Sequence, residues 1–444
     1  MTAPHENPLG GMALRPQLED YDAFARRVLD ACLTWGPWID GQPRLHAAPL
    51  VISGELRDRL YDVARRVGAL YDELAGIVWG DPALLEGFFA LTPWQRRMWL
   101  ASGGHWHVFA RLDAFVCTDG QIVVCELNAD TPSGQDDAIG LSALIAEGEG
   151  ELIDPNAGYL DRLWEALVRT CSACTGRKEG PRAVAVIYPT EMVDDLGLVR
   201  LYARDIEARG IPVVLGSPYN VEAAPGGGVQ VLGQRVDLIL RHYKTDWWGE
   251  RLPIWKDEPP YDDPDPLDGP LSVLLDAEQA GRACVANPFG ALIPQNKLAM
   301  AFFWEHLGRF SPRSQATIRA HIPETLRAER LGAERLCAER ADWVLKSNYG
   351  CEGDEVILGA LVDDEAWGDC VDMLQPGTWI AQRRFDAAPL APGWLPNLGV
   401  YLIGGVPSGL FVRLTSADTI TCADTLVAPV LTSPRPGEAA EASR

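Results

Sequence analysis

Apolar residues in this chain recur with two periods. Through residues 54–75, Leu56, Leu60, Val63, Val67, Leu70 and Leu74 return every three or four positions, the spacing of a helix with one buried face. The same period predicts helices over 18–35, near 158–172, over 196–209 with Gly210 as the stop, over 296–307 and near 364–374. Thr92-Pro93-Trp94-Gln95 is a capping box with proline in the first turn, and it opens a short helix through Trp99. Residues 323–340, with their Ala-Glu-Arg echo at 328, 333 and 338, read as a solvated helix. Short apolar runs at 183–188, 211–215 and 236–241 are buried strands, and the intervening helix argues for a small parallel α/β unit. Strand-like runs at 342–347, 355–358, 378–385, 397–404 and 409–415 predict an antiparallel sheet near the C-terminus.

The most informative local pattern lies between His105 and Gly134. Two β-prone runs flank Asp119-Gly120, the pattern of a two-residue hairpin loop. With Thr118 facing Gln121, counting back sets Asp113 opposite Glu126 and Arg111 opposite Asn128, all four on one face. Facing carboxylates repel, so the pair calls for a cation between them, and a hard divalent ion such as Mg²⁺ suits the oxygen donors Asp113, Glu126 and Asn128. The alternative is a surface ion pair of Arg111 with Asp113 or Glu126.

These elements divide the chain into a flexible start (1–16), a helical segment plus hairpin (17–180), an α/β unit (181–295), a region ending in the antiparallel sheet (296–431) and a disordered tail (432–444). Residues 249–270, rich in Pro and Asp, are expected to form a surface loop.

Composition adds boundaries. An apolar fraction of 47% over 444 residues is that of an ordinary globular chain, and a net charge of −23 would repel a nucleic-acid backbone. No apolar run reaches the roughly 20 residues of a membrane span, and no export signal is visible, so a cytoplasmic location and reduced cysteines are expected. Cys171-Ser-Ala-Cys174 lacks a second ligand pair at matching distance, which favours packing over zinc. His105 and His107 have strand spacing and read as packing positions before metal ligands.

Two further segments carry positive charge. In Leu345-Lys346-Ser-Asn-Tyr-Gly350-Cys-Glu352-Gly353 a strand ends in a lysine and a glycine loop, which suits phosphate binding although no Walker loop is present. Lys297 stands at a helix start, where anions are favoured, and Arg413 sits in an otherwise apolar strand, where it needs an anion or a buried partner.

Taken in order, Arg111-Leu-Asp113, Cys125-Glu-Leu-Asn-Ala-Asp-Thr-Pro-Ser-Gly134, Pro294-Gln-Asn-Lys297, Leu345-Lys346, Glu352-Gly353, Trp379-Ile-Ala-Gln382, Asn397-Leu-Gly-Val-Tyr and Gly409-Leu-Phe-Val-Arg413 resemble the glutathionylspermidine synthase family over about residues 90–420. The resemblance implies an α+β chain with a circularly permuted ATP-grasp core, a small parallel α/β subdomain and an N-terminal helical segment. It implies a ligase that uses ATP and Mg²⁺ to join a small-molecule or peptide carboxylate to an amine through an acyl-phosphate. By the same resemblance Asp113, Glu126 and Asn128 are the Mg²⁺ ligands, and Arg111 and Arg413 clamp the carboxylate and the transferring phosphoryl group. Lys297 and Lys346 meet the ATP phosphates, Glu352 and Gly353 belong to the lid, Gln382 marks the adenine hinge, and Thr131 and Glu191 face substrate. The chain departs from the family at Gly350-Cys351, where a Ser-Arg pair is usual, and at Leu414-Thr415, where an acidic residue is usual. The second departure argues against spermidine, and no amidase domain precedes the hairpin. A catalytically silent binding relative and a Mg²⁺-dependent phosphotransferase are the competing readings.

Overall fold

The computed structural model describes residues 11–16, 20–31, 36–147, 150–260, 267–350, 353, 355–390, 393–416 and 425–434. Its centre is a five-stranded antiparallel sheet in the order Leu426–Ala428, Val406–Ser416, Trp394–Ile403, Phe109–Val116, Ile122–Asn128. One face of this sheet rests on the long helix Gly54–Gly80, whose stripe from Leu56 to Leu74 is buried as the periodicity requires. Gly68 is the closest approach, since a Cβ there would stand 3.1 Å from the Leu402 side chain.

The parallel unit forms as expected. Cys284–Ala286, Leu238–Arg241, Val184–Ile187 and Val213–Gly216 lie side by side, all parallel. Apart from Arg241, its strands are apolar because both faces are covered. Ala185, Ile187 and Ile239 pack with Leu271 and Leu274 of the helix Asp268–Gln279. Val184, Val186 and Leu240 pack the other way, with Leu198 and Val199 of the helix Leu196–Ala208. A second antiparallel sheet, Thr325–Arg327, Trp379–Arg383, Trp343–Ser347, Val356–Leu358, has its own small core built on Trp343, Trp367 and Trp379.

Several expectations need correction. Met12–Leu14 is a strand rather than flexible chain, and Val430–Ser433 is a strand although 432–444 was expected to be disordered. Both flank Leu50–Ser53, antiparallel and parallel respectively, a long-range pairing that no local pattern announces. Residues 435–444 lie outside the described residues. The single helix over 323–340 is a strand, Thr325–Arg327, and two short helices, Ala328–Leu331 and Ala333–Ala338, broken at Gly332 with φ +84°. The partition of the chain also cuts through one sheet, because Trp394–Ile403 pairs directly with Phe109–Val116. Helices Gln135–Ala146 and Pro312–His321 were not anticipated.

Candidate active site

The hairpin reaches its expected pairing by an unexpected route. Gly120 has φ +81°, its N–H donates to the Cys117 carbonyl at 2.8 Å, and the Cys117 N–H donates to the Gln121 carbonyl at 2.8 Å. The loop is therefore three residues long with a left-handed glycine, so Thr118 does not face Gln121. The strands then run one residue out of the counted register, with Val116 on Ile122 and Ala114 on Val124. A bulge at Cys125 restores it, so Asp113 faces Glu126 and Arg111 faces Asn128. Two departures cancel where the chemistry sits.

All four side chains line one cavity of about 880 Å³. Asp113 is buried and fully engaged. It accepts from Arg111 Nε at 2.7 Å and Nη2 at 3.0 Å, from Arg413 Nη2 at 2.7 Å and from Asn128 Nδ2 at 3.3 Å. Burial alone would raise this carboxyl, but the two guanidinium groups outweigh it and hold it below the usual carboxylate range. The ion pair weighed as the surface alternative is thus present, but it is buried. Arg111 is fixed further by the Ser133 carbonyl at 2.8 Å and lies over the Phe411 ring at 5.4 Å. The turn after Thr131 serves this placement. Gly134 has φ +86°, and a Cβ there would stand 2.8 Å from the Phe411 ring. Gly399 on the neighbouring strand plays a similar part, since a Cβ there would fall 2.8 Å from Arg111 Cδ.

The lysines arrive from two other elements. Lys297 caps the helix Leu298–Glu305, meets Glu126 Oε1 at 3.3 Å and donates to the Gly350 carbonyl. Lys346, on Trp343–Ser347, donates to Gln382 Oε1 at 2.8 Å and to the Cys125 carbonyl at 3.4 Å. Gln382 therefore touches a lysine directly, and its own amide donates to Thr325 Oγ1 at 3.2 Å. Across these groups four cations meet two carboxylates, a surplus of positive charge inside a chain whose net charge is −23.

Of the residues singled out in the sequence, Arg111, Asp113, Glu126, Asn128, Thr131, Lys297, Lys346, Gly353, Gln382 and Arg413 all line this cavity. Glu191 does not; it is exposed, although Pro189 and Met192 beside it are on the wall. Glu352 lies outside the described residues. His107 is half-buried and stacked on Trp106 with ring centroids 3.6 Å apart, and desolvation pushes its pKa down to about 3. Neither His105 nor His107 joins a metal-competent cluster of His, Cys, Asp and Glu among the described residues.

Sequence reasoning missed several contributors. Lys244 lines the cavity and donates to the Tyr349 carbonyl at 3.2 Å. The signal was available: the chain has only five lysines, and three of them, Lys244, Lys297 and Lys346, face this cavity. Asp130 braces the hairpin against the parallel unit, accepting from Arg241 and from the Thr245 N–H at 2.6 Å. Gln295 accepts the Ala129 and Asp130 N–H groups at 2.9 and 3.1 Å and so fixes the chain just after Asn128. Asp136, Asp137, Asp194 and Asp195 give the wall from Gln135–Ala146 and the parallel unit an acidic character, with Asp137 held by Arg44 in a two-pronged pair at 2.8 and 2.9 Å.

No protein-family model and no curated protein matches the sequence. Among solved structures, the chain is similar to a glutathione synthetase-like effector of Globodera pallida in its apo form, at 12% identity over 93% of this chain and 98% of that one, with a TM-score of 0.57. A candidate gamma-glutamylcysteine synthetase of Methylobacillus flagellatus KT is similar at 13% identity over 83% and 86%, with a TM-score of 0.45. The class this defines is a mixed helix-and-sheet fold of the glutathione synthetase-like kind.

Proposed function

We propose that this protein is an ATP- and Mg²⁺-dependent carboxylate–amine ligase on a circularly permuted ATP-grasp core, acting through an acyl-phosphate. One observation carries the reading. Arg111, Arg413, Lys297 and Lys346 converge, with more positive charge than their partners neutralise, on a cavity of about 880 Å³, a volume suited to a nucleotide-sized ligand. The fold this chain shares with a glutathione synthetase-like effector is in keeping with this reading.

In this reading Lys297 and Lys346 neutralise phosphate oxygens, and Gln382 orients Lys346. Arg111 and Arg413 grip the carboxylate and stabilise charge as it builds on the transferring group, the role that preorganised cations fill in phosphoryl transfer. The donors test well against a hard cation in part. Glu126 is half-buried on the cavity wall with one oxygen on Lys297, and Asn128 donates only its N–H to Asp113. Those two would hold Mg²⁺, which would supply positive charge to the phosphates. Asp113, whose oxygens are taken by Arg111, Arg413 and Asn128, would join them only if those donors turned to an arriving anion. The amine suits the acidic wall at Asp194 and Asp195.

The saturation of Asp113 favours one second reading, an anion-binding relative without turnover. Incubation with ATP, Mg²⁺ and pooled acids and amines separates the two. Phosphate and a new amide appearing together support the ligase. Nucleotide binding with no phosphate release supports the silent form.

A further inference from the structure

Outside the cavity, one cluster brings together what the sequence keeps apart. Cys174 closes the helix Tyr159–Thr175, Cys284 begins the strand Cys284–Ala286, and Glu278 ends the helix Asp268–Gln279. One ligand atom from each of the three lies within 4.8 Å of the others. Cys284 is fully buried, and both sulfurs belong to free cysteines. Glu278 uses Oε1 to accept the Val285 N–H at 3.1 Å, while its Oε2 is buried with no hydrogen-bond partner. A buried carboxylate oxygen left without a donor is expensive, and it stands beside two thiols. Cys171, one turn earlier on the same helix, is a further thiol. It points at the Asp237 carbonyl, which also accepts the Cys284 N–H at 2.9 Å.

We propose that Cys174, Cys284 and Glu278 bind a Zn²⁺-class divalent cation as a structural site. Two sulfurs and one carboxylate suit a borderline-soft ion, whereas Mg²⁺ and Ca²⁺ take oxygen donors throughout. Each thiol releases its proton on binding, and the ion neutralises the Glu278 oxygen that the protein leaves unpartnered. The position argues for a structural role. Cys284 pairs with Leu238 at the N-terminal end of the parallel strands, while the cavity residues Pro189, His242 and Lys244 follow their C-terminal ends, the side where such sheets place ligands. The ion would tie two helices to the strand that leads to Asn287, whose amide accepts the Val108 and Phe109 N–H groups at 2.7 and 3.1 Å. Cys174 thus finds a thiol partner 110 residues later in the chain, at Cys284.

The test uses the full chain, purified without chelator, incubated with Zn²⁺ and desalted. Metal analysis should find about one zinc per chain. Replacement by Co²⁺ should give a thiolate-to-cobalt charge-transfer band, and chelation should lower Tm. Cys174→Ser, Cys284→Ser and Glu278→Gln should each lose the metal, while Cys337→Ser, at an exposed position, should keep it. Because a buried substitution could unfold the chain, the wild-type metal content and cobalt spectrum decide on their own. Zinc-free wild-type protein after loading, a cobalt spectrum without sulfur ligation, or a Cys174–Cys284 disulfide in the intact mass would each overturn the proposal.

Discussion

Asp113→Asn separates charge from shape at the centre of the cavity. The side chain keeps its size, but two guanidinium groups lose the carboxylate that neutralises them. Removing one partner of a buried ion pair typically costs about 3–5 kcal/mol, because the other charge is left behind. Here the guanidinium side chains are 7% exposed in Arg111 and 16% exposed in Arg413, so some water reaches both. The lower end of that range, about 3 kcal/mol, is therefore expected for the unliganded protein at neutral pH. The pH dependence has a definite sign. The folded carboxyl sits below its unfolded value, so its contribution is complete above the unfolded pKa and is lost as pH falls through the folded one. The gap between wild type and variant should thus be full at pH 7 and shrink below about pH 4. Urea unfolding, with hydrogen exchange along Phe109–Val116 as the local probe, measures it. Pyrophosphate should narrow the gap at pH 7 by giving the guanidinium groups a new anion. A variant within about 0.5 kcal/mol of wild type, or one indifferent to pyrophosphate, would show that water already satisfies these arginines.

Four other outcomes follow from the same geometry. Lys346→Met should weaken nucleotide binding by roughly 10–100-fold in calorimetry, and unchanged affinity would remove its phosphate role. Glu126→Gln should leave the fold intact, since it keeps the side chain's size at a position still 23% exposed, yet cut Mg²⁺-dependent turnover by about 100-fold or more; an unaltered Mg²⁺ titration would exclude it as a ligand. Gly399→Ala forces a contact on Arg111 Cδ and should lower turnover by about 10-fold or more with little change in Tm, so equal activity would mean that Arg111 has room to shift. His107 stays neutral down to about pH 3 when folded, whereas the unfolded chain takes up that proton near pH 6.5, so wild type should lose up to about 1.4 kcal/mol per pH unit across this window. His107→Phe should show a shallower acid slope in urea titrations, and an identical slope would place the proton elsewhere.

Local signals in the sequence were strong where the chain decides its structure within a few residues. The Thr92–Gln95 capping box forms as written, with both reciprocal hydrogen bonds present. The Leu56-to-Leu74 stripe and the apolar runs of the parallel strands are equally direct. What stayed hidden depends on distant partners. Gln135–Ala146 buries Gln135, Asp136 and Asp137, so its polar first turn masks a helix that is covered on nearly every side. The bulge at Cys125 leaves no mark, because β-bulges need no special residue when a neighbouring strand supplies the pairing. The pairing of Asp113 with Glu126 was readable, but the collapse of Arg413 onto Asp113 was not, since these residues are 300 positions apart. The acidic cavity wall likewise draws on Asp136 and Asp195, which meet only through the fold.

The three-stranded sheet around Leu50–Ser53 has a practical consequence for anyone shortening this protein. Its two outer strands come from opposite ends of the described chain, Met12–Leu14 and Val430–Ser433. Removing the chain from Thr432 onward would sever the outer strand in mid-ladder and bare the backbone donors and acceptors of Ile52 and Ser53 to neighbouring molecules. A shortened chain should therefore retain Ser433, because a cut a few residues earlier should turn the same protein into a self-associating one.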